Sequence, residues 1–353
     1  MGNCIAACDA HKKYSLFGAM DGDTCERSYC RVNHVRGAIE AYVSGLPQGT
    51  PVALETVGNW YWIVDEIEAG GGVPLMAHAA KAKVMMGNTN KTDKLDVDGL
   101  LTLLRNGTLP TVWLPGRPVR DLRELYRTRI NLGKQRTALK NRVQATVAKY
   151  GLHAPEGDLF CGKGREWLIA AIPTLPPETG LCVEQQLQVL DAVQEHIDAL
   201  TKRIREQVKL NHEMQLLTSL PGIGDIFAIV VAMEMGSVGR FPRVEQFASY
   251  AGTVPKVTSS GDKRYYGHTR KDCNRYLKWA FFEAADVVAS QRNRPGWADK
   301  HVVQLYERVR KRRGHGIAVG AVARHLAEAA YWVLKRNEPY RDPNSRKDLP
   351  KQR

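Results

Sequence analysis

Cysteine is scarce and unpatterned. Seven thiols (Cys4, Cys8, Cys25, Cys30, Cys161, Cys182 and Cys273) are scattered through 353 residues, odd in number and with no CxxC pair. That excludes the disulfide framework of a small secreted scaffold and, with no secretory pattern before the first of them, a reducing cytoplasmic setting is expected. Cys25 and Cys30 lie near His11 and His34, but their spacing matches no zinc finger, so they are read as ordinary thiols. No apolar run reaches the length of a membrane span; the longest, Ile226 to Met235, has the length of a buried helix, and no membrane partner is expected. No internal repeat is evident. Acid is the other deficit: 37 Asp plus Glu stand against 51 Lys plus Arg, a formal charge of +14. Such an excess marks a surface that meets a polyanion, and nucleic acid is the leading partner. At 43% apolar and 25% charged, the composition is otherwise that of an ordinary globular protein. The length predicts two or three domains at about 150 residues each.

The first 115 or so residues alternate short apolar runs with helical patterns, which predicts an α/β domain. Strands are expected at Asn3 to Cys8, Tyr14 to Met20, Ser28 to Val32, Pro51 to Leu54 and Val73 to Ala77, and helices at Arg36 to Ser44, Trp60 to Glu68 and Asp93 to Arg105. Pro115 and Pro118 close the domain. From Val119 to Tyr150 one long helix is predicted, with Leu125, Leu132 and Leu139 seven apart and a basic surface that includes Arg123, Arg127 and Lys134. A second heptad-like stretch runs from Leu187 to Val208, so the pair forms an antiparallel arm or an oligomerisation coiled coil. The rest is mainly helical to Tyr340. It is interrupted by Gly252 to Lys271, a loop or short hairpin rich in Gly, Ser, Thr and Lys, and is followed by a polar tail expected to be disordered. The expected divisions are 1–117, 118–212, 213–340 and a tail at 341–353.

Four acids invite a chemical reading. Asp9 and Glu55 each close a strand, while Asp93 and Asp96 are three apart and share one helix face. If they converge, their mutual repulsion calls for a hard cation, so carboxylates with little His or Cys suggest Mg²⁺, with Mn²⁺ able to substitute. Two such metals can clamp the attacking and leaving oxygens of phosphoryl transfer. Asp98 belongs to the set or not only by its spacing. Leu220-Pro221-Gly222-Ile223-Gly224 before an apolar helix resembles a helix-hairpin-helix turn, whose amides at Gly222 and Gly224 could face a phosphate. A serine in the basic loop that holds Ser259, Ser260, Lys263, Arg264, Arg270 and Lys271 could attack a phosphodiester.

Several of these segments recur in one order. They are Asp9 with Lys12 behind it, Leu54-Glu55, Lys91 to Asp96, Leu220 to Gly224, Ala251-Gly252 with Pro255, Ser260-Gly261, and Lys271 before Asn274 to Leu277. With Ile317 to Leu326, carrying Arg324, and Pro339-Tyr340, they resemble the IS110/IS1111 family of insertion-sequence transposases over residues 3 to 340. The resemblance implies an amino-terminal RuvC-like domain of ribonuclease H fold, a coiled-coil arm and a mainly helical carboxy-terminal transposase domain. It also implies that Asp9, Glu55, Asp93 and Asp96 are DEDD metal ligands and that Ser260 is the nucleophile that becomes joined to DNA. Ser260 is preferred to Ser259 because it directly precedes Gly261 in the frame set by Gly252 and Pro255. Members of the family are guided by a structured bridge RNA that pairs with donor and target DNA, which would employ the basic arm. Departures are Ala7-Cys8-Asp9 where Gly-Ile-Asp is usual, Asp96-Val97 where Asp-Ala is usual, and Cys273 at a position usually small. The expectation is a Mg²⁺-dependent, RNA-guided recombinase, acting as a homodimer or homotetramer in the nucleoid. Its active sites would combine the RuvC-like domain of one subunit with the serine domain of another. The alternatives are a hydrolytic RuvC-like nuclease such as a junction resolvase, in which Ser260 is dispensable, and a metal-free nucleic-acid-binding protein.

Overall fold

Apolar alternation with a period of two builds the amino-terminal strands, and the face each residue takes decides which helix covers it. The computed structural model describes residues 4–55, 58–87, 92–153, 157–261 and 263–348 and divides into two compact units, Met1–Gly116 and Arg117–Arg353. In the first unit β1 (Cys4–Ala10), β2 (Tyr14–Asp21), β3 (Arg27–Asn33), α1 (Ala38–Ser44), β4 (Pro51–Glu55), α2 (Trp60–Ala69), β5 (Val73–Ala77), α3 (Ala79–Met86) and α4 (Asp93–Arg105) follow in order. The five strands form one mixed sheet in the order β3-β2-β1-β4-β5, antiparallel from β3 to β1 and parallel from β1 to β5. Ala6, Cys8, Val52 and Leu54 pack on one face against Ile39, Val43, Ile63 and Ile67 of α1 and α2. Burial there pushes the Cys8 thiol up to about 12.

The intervening residues Ala7, Ala53 and Ala77 turn to the other face and meet Val97, Leu100 and Leu101 of α4. Small side chains on this face let α4 approach closely. A Cβ added to Gly18 of β2 would lie 2.5 Å from Val97 Cγ1. Thr92 caps α4, its hydroxyl accepting from the Leu95 amide at 3.3 Å, and Asp21 Oδ1 accepts from the Asp23 and Thr24 amides to hold the β2–β3 turn.

The second unit contains α5 (Arg117–Lys149), α6 (Gly162–Ala171), α7 (Pro177–Gln207), α8 (His212–Thr218), α9 (Asp225–Met235) and α10 (Val244–Tyr250). The hairpin β6 (Pro255–Ser260) and β7 (Lys263–Thr269) comes next, then α11 (Arg275–Gln291), α12 (His301–Arg313) and α13 (His315–Arg336). Arg129 Nε donates to Thr201 and Arg136 to Gln194, so residue numbers fall along α7 as they rise along α5 and the two helices run antiparallel. The far end of this pair has its own core, in which Val143 and Val147 meet Leu168, Val183 and Leu187. Its near end joins the main core through Tyr126, Ile130 and Ile204. That core is built on α9, α11 and α13, where Ala280, Ala284, Ala323 and Ala327 are fully or almost fully buried. Among the described residues α13 alone is long and apolar enough to span a membrane, and it spends its apolar side on this core.

Several sequence expectations are corrected. The seam of α5 is Tyr126, Ile130, Val143 and Val147, whereas Leu125, Leu132 and Leu139 are only half-buried, so the heptad frame was offset. The helix α7 starts at Pro177, ten residues before the apolar repeat, because proline suits a first helical turn. Helices α3, α6 and α8 were not anticipated. The tail is anchored, not disordered, as far as Asn344: the Tyr340 amide donates to Ser219 Oγ at 2.7 Å, the Asp342 carboxylate accepts from the His301 amide, and Asn344 Nδ2 donates to the Asp299 carbonyl at 2.8 Å. Residues 349–353 lie outside the described residues.

Candidate functional site

Parallel pairing of β1 and β4 sets Cys8 opposite Leu54, so the next residues, Asp9 and Glu55, stand side by side at the carboxyl ends of neighbouring strands. Each lies two residues beyond an alanine that faces α4, and therefore turns toward α4. Asp93 and Asp96 occupy the first turn of that helix. Of the four acids, the structure draws Asp9 and Asp93 together, with His11 between them; one ligand atom from each of the three lies within 4.8 Å of the others. His11 Nε2 is 3.2 Å from Asp9 Oδ2 and 3.0 Å from Asp93 Oδ2, yet this buried nitrogen is not aligned for a hydrogen bond with either. Among the described residues neither Glu55 nor Asp96 completes a group of three this tight. Asp98 is drawn away instead, accepting from Tyr29 at 2.5 Å and Arg27 at 2.8 Å.

The surroundings fix the trio. The His11 amide donates to the Tyr14 carbonyl at 2.8 Å across the β1–β2 turn, and Asn59 Nδ2 donates to the His11 carbonyl at 3.3 Å. The Tyr14 hydroxyl donates to Asp93 Oδ2 at 2.9 Å, and this bond, with a smaller contribution from His11, holds the Asp93 carboxyl below the usual range. The same bond raises the Tyr14 phenol. Two carboxylates and one imidazole nitrogen around a common point are a donor set for a divalent cation: the carboxylate oxygens suit Mg²⁺ or Mn²⁺, while the imidazole nitrogen is a ligand typical of transition metals. The orphaned His11 Nε2 fits that use, because coordination would satisfy it. Sequence reasoning weighed His11 only as a neighbour of Cys25 and Cys30. The signal it passed over is the position of His11 two residues past Asp9, where the tight return to β2 folds it back. Cys25 and Cys30 belong to no ligand group among the described residues.

In the second unit, the basic loop is a hairpin whose register shifts between Pro255 and Val257. Ser260 pairs with Lys263 across a two-residue turn in which Gly261 takes φ +58°, a conformation that glycine adopts without strain. Ser260 is thus exposed at the tip, and Ser259 is exposed on the opposite face. Asn274 fastens the base of the hairpin. Its amide donates to the Tyr250 carbonyl at 2.8 Å, its Oδ1 caps α11 by accepting from the Tyr276 and Leu277 amides, and its Nδ2 donates to Glu234 Oε2 at 2.8 Å.

Glu234 is fully buried and explains two of the expected nucleic-acid contacts differently. Arg127 grips it with both Nε at 2.8 Å and Nη2 at 2.7 Å, Tyr126 donates to it at 2.8 Å, and Arg123 lies 3.3 Å away while donating to the Met233 carbonyl. Arg123 and Arg127 are therefore turned inward, because a buried carboxylate needs paired charge more than the surface needs another cation. Lys134, Lys263 and Lys271 are exposed. Arg270 is exposed and paired with Asp272. The side chain of Arg264 and residue Lys91 lie outside the described residues. Gly222 takes φ +80° and backs onto the Ala284 carbonyl, so it serves helix packing. Gly224, at the start of α9, borders a cavity of about 490 Å³ that Ser219, Lys300 and Tyr340 also line. A basic cluster that the sequence reading did not single out closes α12: Arg308, Lys311, Arg312 and Arg313 are exposed, with no ion pair among the described residues.

A family model described as "Transposase IS116/IS110/IS902 family" matches residues 214–302, which include Glu234, the hairpin and Asn274. A second transposase model, for the DEDD transposases of IS110, matches residues 68–151, which include Asp93 and Asp96. A probable family 20 transposase of Pseudomonas aeruginosa is 26% identical over 328 residues, 90% of this chain and 94% of the relative. The transposase for insertion sequence element IS1111A of Coxiella burnetii is 25% identical over 297 residues, 82% of this chain and 79% of the relative. An uncharacterized 43.6 kDa protein of insertion element IS110 from Streptomyces coelicolor is 31% identical over 163 residues, 45% of this chain and 38% of the relative. Two transposase models on one chain, with relatives matched over most of their length, define a DNA transposase, an enzyme of insertion-sequence transposition. Within that class both models and the IS1111A relative point to the IS110/IS1111 family.

Proposed function

We propose that this transposase is a site-specific DNA recombinase that cuts by attack of Ser260 and rejoins strands from a covalent serine–DNA intermediate. The observation that carries the proposal is the hairpin tip, where Ser260 is exposed opposite Lys263 and beside a left-handed glycine. In the step itself the Ser260 oxygen bonds to phosphorus, the bond from phosphorus to one sugar oxygen breaks, the serine proton passes to solvent and the leaving oxygen takes one up. The phosphodiester is exchanged for a serine phosphoester of similar energy, so the reverse attack by a sugar hydroxyl reseals DNA without hydrolysis. The cation at Lys263 offsets charge that builds on the phosphate.

In the first unit Asp9, Asp93 and His11 would hold a divalent cation, for which we propose Mg²⁺, with Glu55 and Asp96 close by in the sheet and helix. Bound there, the metal would supply charge stabilisation for phosphoryl transfer. The Tyr14 hydroxyl keeps Asp93 ionised for that role, and the bond from Asn59 to the His11 carbonyl holds the backbone that carries the ring. The 3-2-1-4-5 sheet with its acids at adjacent strand ends supports a RuvC-like reading of this unit. Family resemblance and the exposed cations further suggest donor and target DNA, a structured guide RNA, and a homodimer or homotetramer as the working form.

The test is a reaction of the full-length protein with Mg²⁺, labelled DNA spanning the ends of its element, and RNA transcribed from the element's flanks, resolved on a denaturing gel. A protein-linked DNA band that is lost in Ser260→Ala, in Asp93→Asn and without metal supports the proposal. Free cleaved DNA that persists in Ser260→Ala overturns it in favour of a hydrolytic nuclease.

A further inference from the structure

Two tyrosines on the serine hairpin are bare. Tyr265 is 61% and Tyr266 69% exposed, and among the described residues neither side chain has a hydrogen-bond, ring or ionic partner. Single exposed apolar residues need no explanation. Two adjacent aromatic rings on a hairpin whose other exposed side chains include Lys256, Lys263 and His268 are a different case, because cations and unstacked rings together are what a nucleic-acid strand meets.

The register separates the two rings. Ser260 pairs with Lys263 and Thr258 with Tyr265, while Val257 pairs with Tyr266. Directly opposed residues share a face and faces alternate along a strand, so Ser260, Thr258, Lys263 and Tyr265 lie on one side and Ser259, Val257 and Tyr266 on the other. Tyr265 is the diagonal neighbour of Ser260, a separation of roughly 7–8 Å that a large ring can span. We infer that Tyr265 is a positioning residue that stacks on an unpaired DNA base flanking the phosphate attacked by Ser260. This rests on the proposed role of Ser260. It adds that the substrate strand is open at the point of attack, since a base inside a duplex offers no free face to a protein ring. Stacking suits a site that must accept many sequences, because every base has a π-face.

The test uses full-length protein and a single-stranded oligodeoxynucleotide bearing one 2-aminopurine, whose fluorescence is quenched by stacking. Wild-type protein and Tyr265→Phe quench it. Tyr265→Ala loses the quench and binds about five- to 150-fold more weakly, the range that base–aromatic stacking gives on alanine substitution. Tyr266→Ala keeps the quench. The rate of protein–DNA linkage follows the same order, with Tyr265→Ala slowed and Tyr265→Phe not. Retained quenching and linkage in Tyr265→Ala overturn the inference, as does a loss in Tyr265→Phe equal to that in Tyr265→Ala. Loss of quenching in Tyr266→Ala alone overturns it too and moves attention to the face of Ser259. Linkage that survives Ser260→Ala overturns the nucleophile assignment instead, and is read independently of the quench.

Discussion

At the scale of single residues, charge is used where burial makes it matter. Glu234 is fully buried, and Arg123, Arg127, Tyr126 and Asn274 converge on it from α5 and from the cap of α11. One carboxylate thus ties the root of the long helix to the base of the serine hairpin. Glu234→Ala would strand two guanidinium groups in the interior. A loss of about 3–5 kcal/mol is expected, measured by urea unfolding, because removing one partner of a buried pair costs far more than the pair contributes. Glu234→Gln, which keeps hydrogen-bond acceptors, should lose less. None of this was legible in the sequence. An arginine on a basic amphipathic helix looks solvated until a distant acid is known to sit beneath it, and Glu234 lies in an apolar run with nothing local to mark its partners. Asp9 and Glu55 were legible for the opposite reason, since strand ends can be read from apolar alternation. The approach of Asp9 to Asp93 was legible only in part, because the third member of the tight group is His11 and neither Glu55 nor Asp96.

At the scale of elements, close approach between helix and sheet positions the acids. Gly18, Ala7 and Ala53 make room for Val97 and Leu101, and thereby set the height of the α4 terminus that carries Asp93. Gly18→Ala places a methyl in contact with Val97 and should destabilise the unit by roughly 1–3 kcal/mol, an overpacking cost seen as a lowered urea midpoint. Divalent-cation binding, read by calorimetry, should weaken with it as α4 is displaced. A second element-scale prediction concerns His325 on α13, which sits 5.0 Å from the His301 ring and faces Tyr340. Burial first, and then His301, pushes its pKa below the ordinary 6.5, while Glu328 and Asp342 pull the other way. Below 6.5 the unfolded chain takes up a proton that the folded one resists, so this contribution is complete above that pH and is lost as the pH falls toward the depressed folded value. Unfolding measured on either side of pH 6.5 should show the wild-type losing more stability on the acid side than His325→Gln does. The helix lengths were readable because long periodic patterns dominate α5, α11 and α13. The seam of α5 was not, since leucines at heptad spacing competed with aromatic and β-branched residues at other positions of the helix, and packing chose the latter.

At the scale of the whole molecule, the proposed chemistry would draw on both units: carboxylates and His11 in a mixed sheet, and a serine at the tip of a hairpin in a helical unit. The excess of basic residues lies in the second unit, since the first holds slightly more Asp plus Glu than Lys plus Arg, and the structure spends part of it internally, on Glu234 and along the α5–α7 pair, leaving Lys134, Lys263, Lys271 and the end of α12 exposed. The family was legible from the order of short motifs, where no single motif sufficed. The division of labour among the arginines was not, because it depends on contacts between residues 58 to more than 100 positions apart. The most direct measurement of the central claim is to trap the protein–DNA intermediate, digest both components and identify by mass spectrometry the side chain that carries the nucleotide. A nucleotide phosphoester on Ser260 is expected. A nucleotide on Ser259 or on any other side chain, or cut DNA with no nucleotide on the protein, would contradict it.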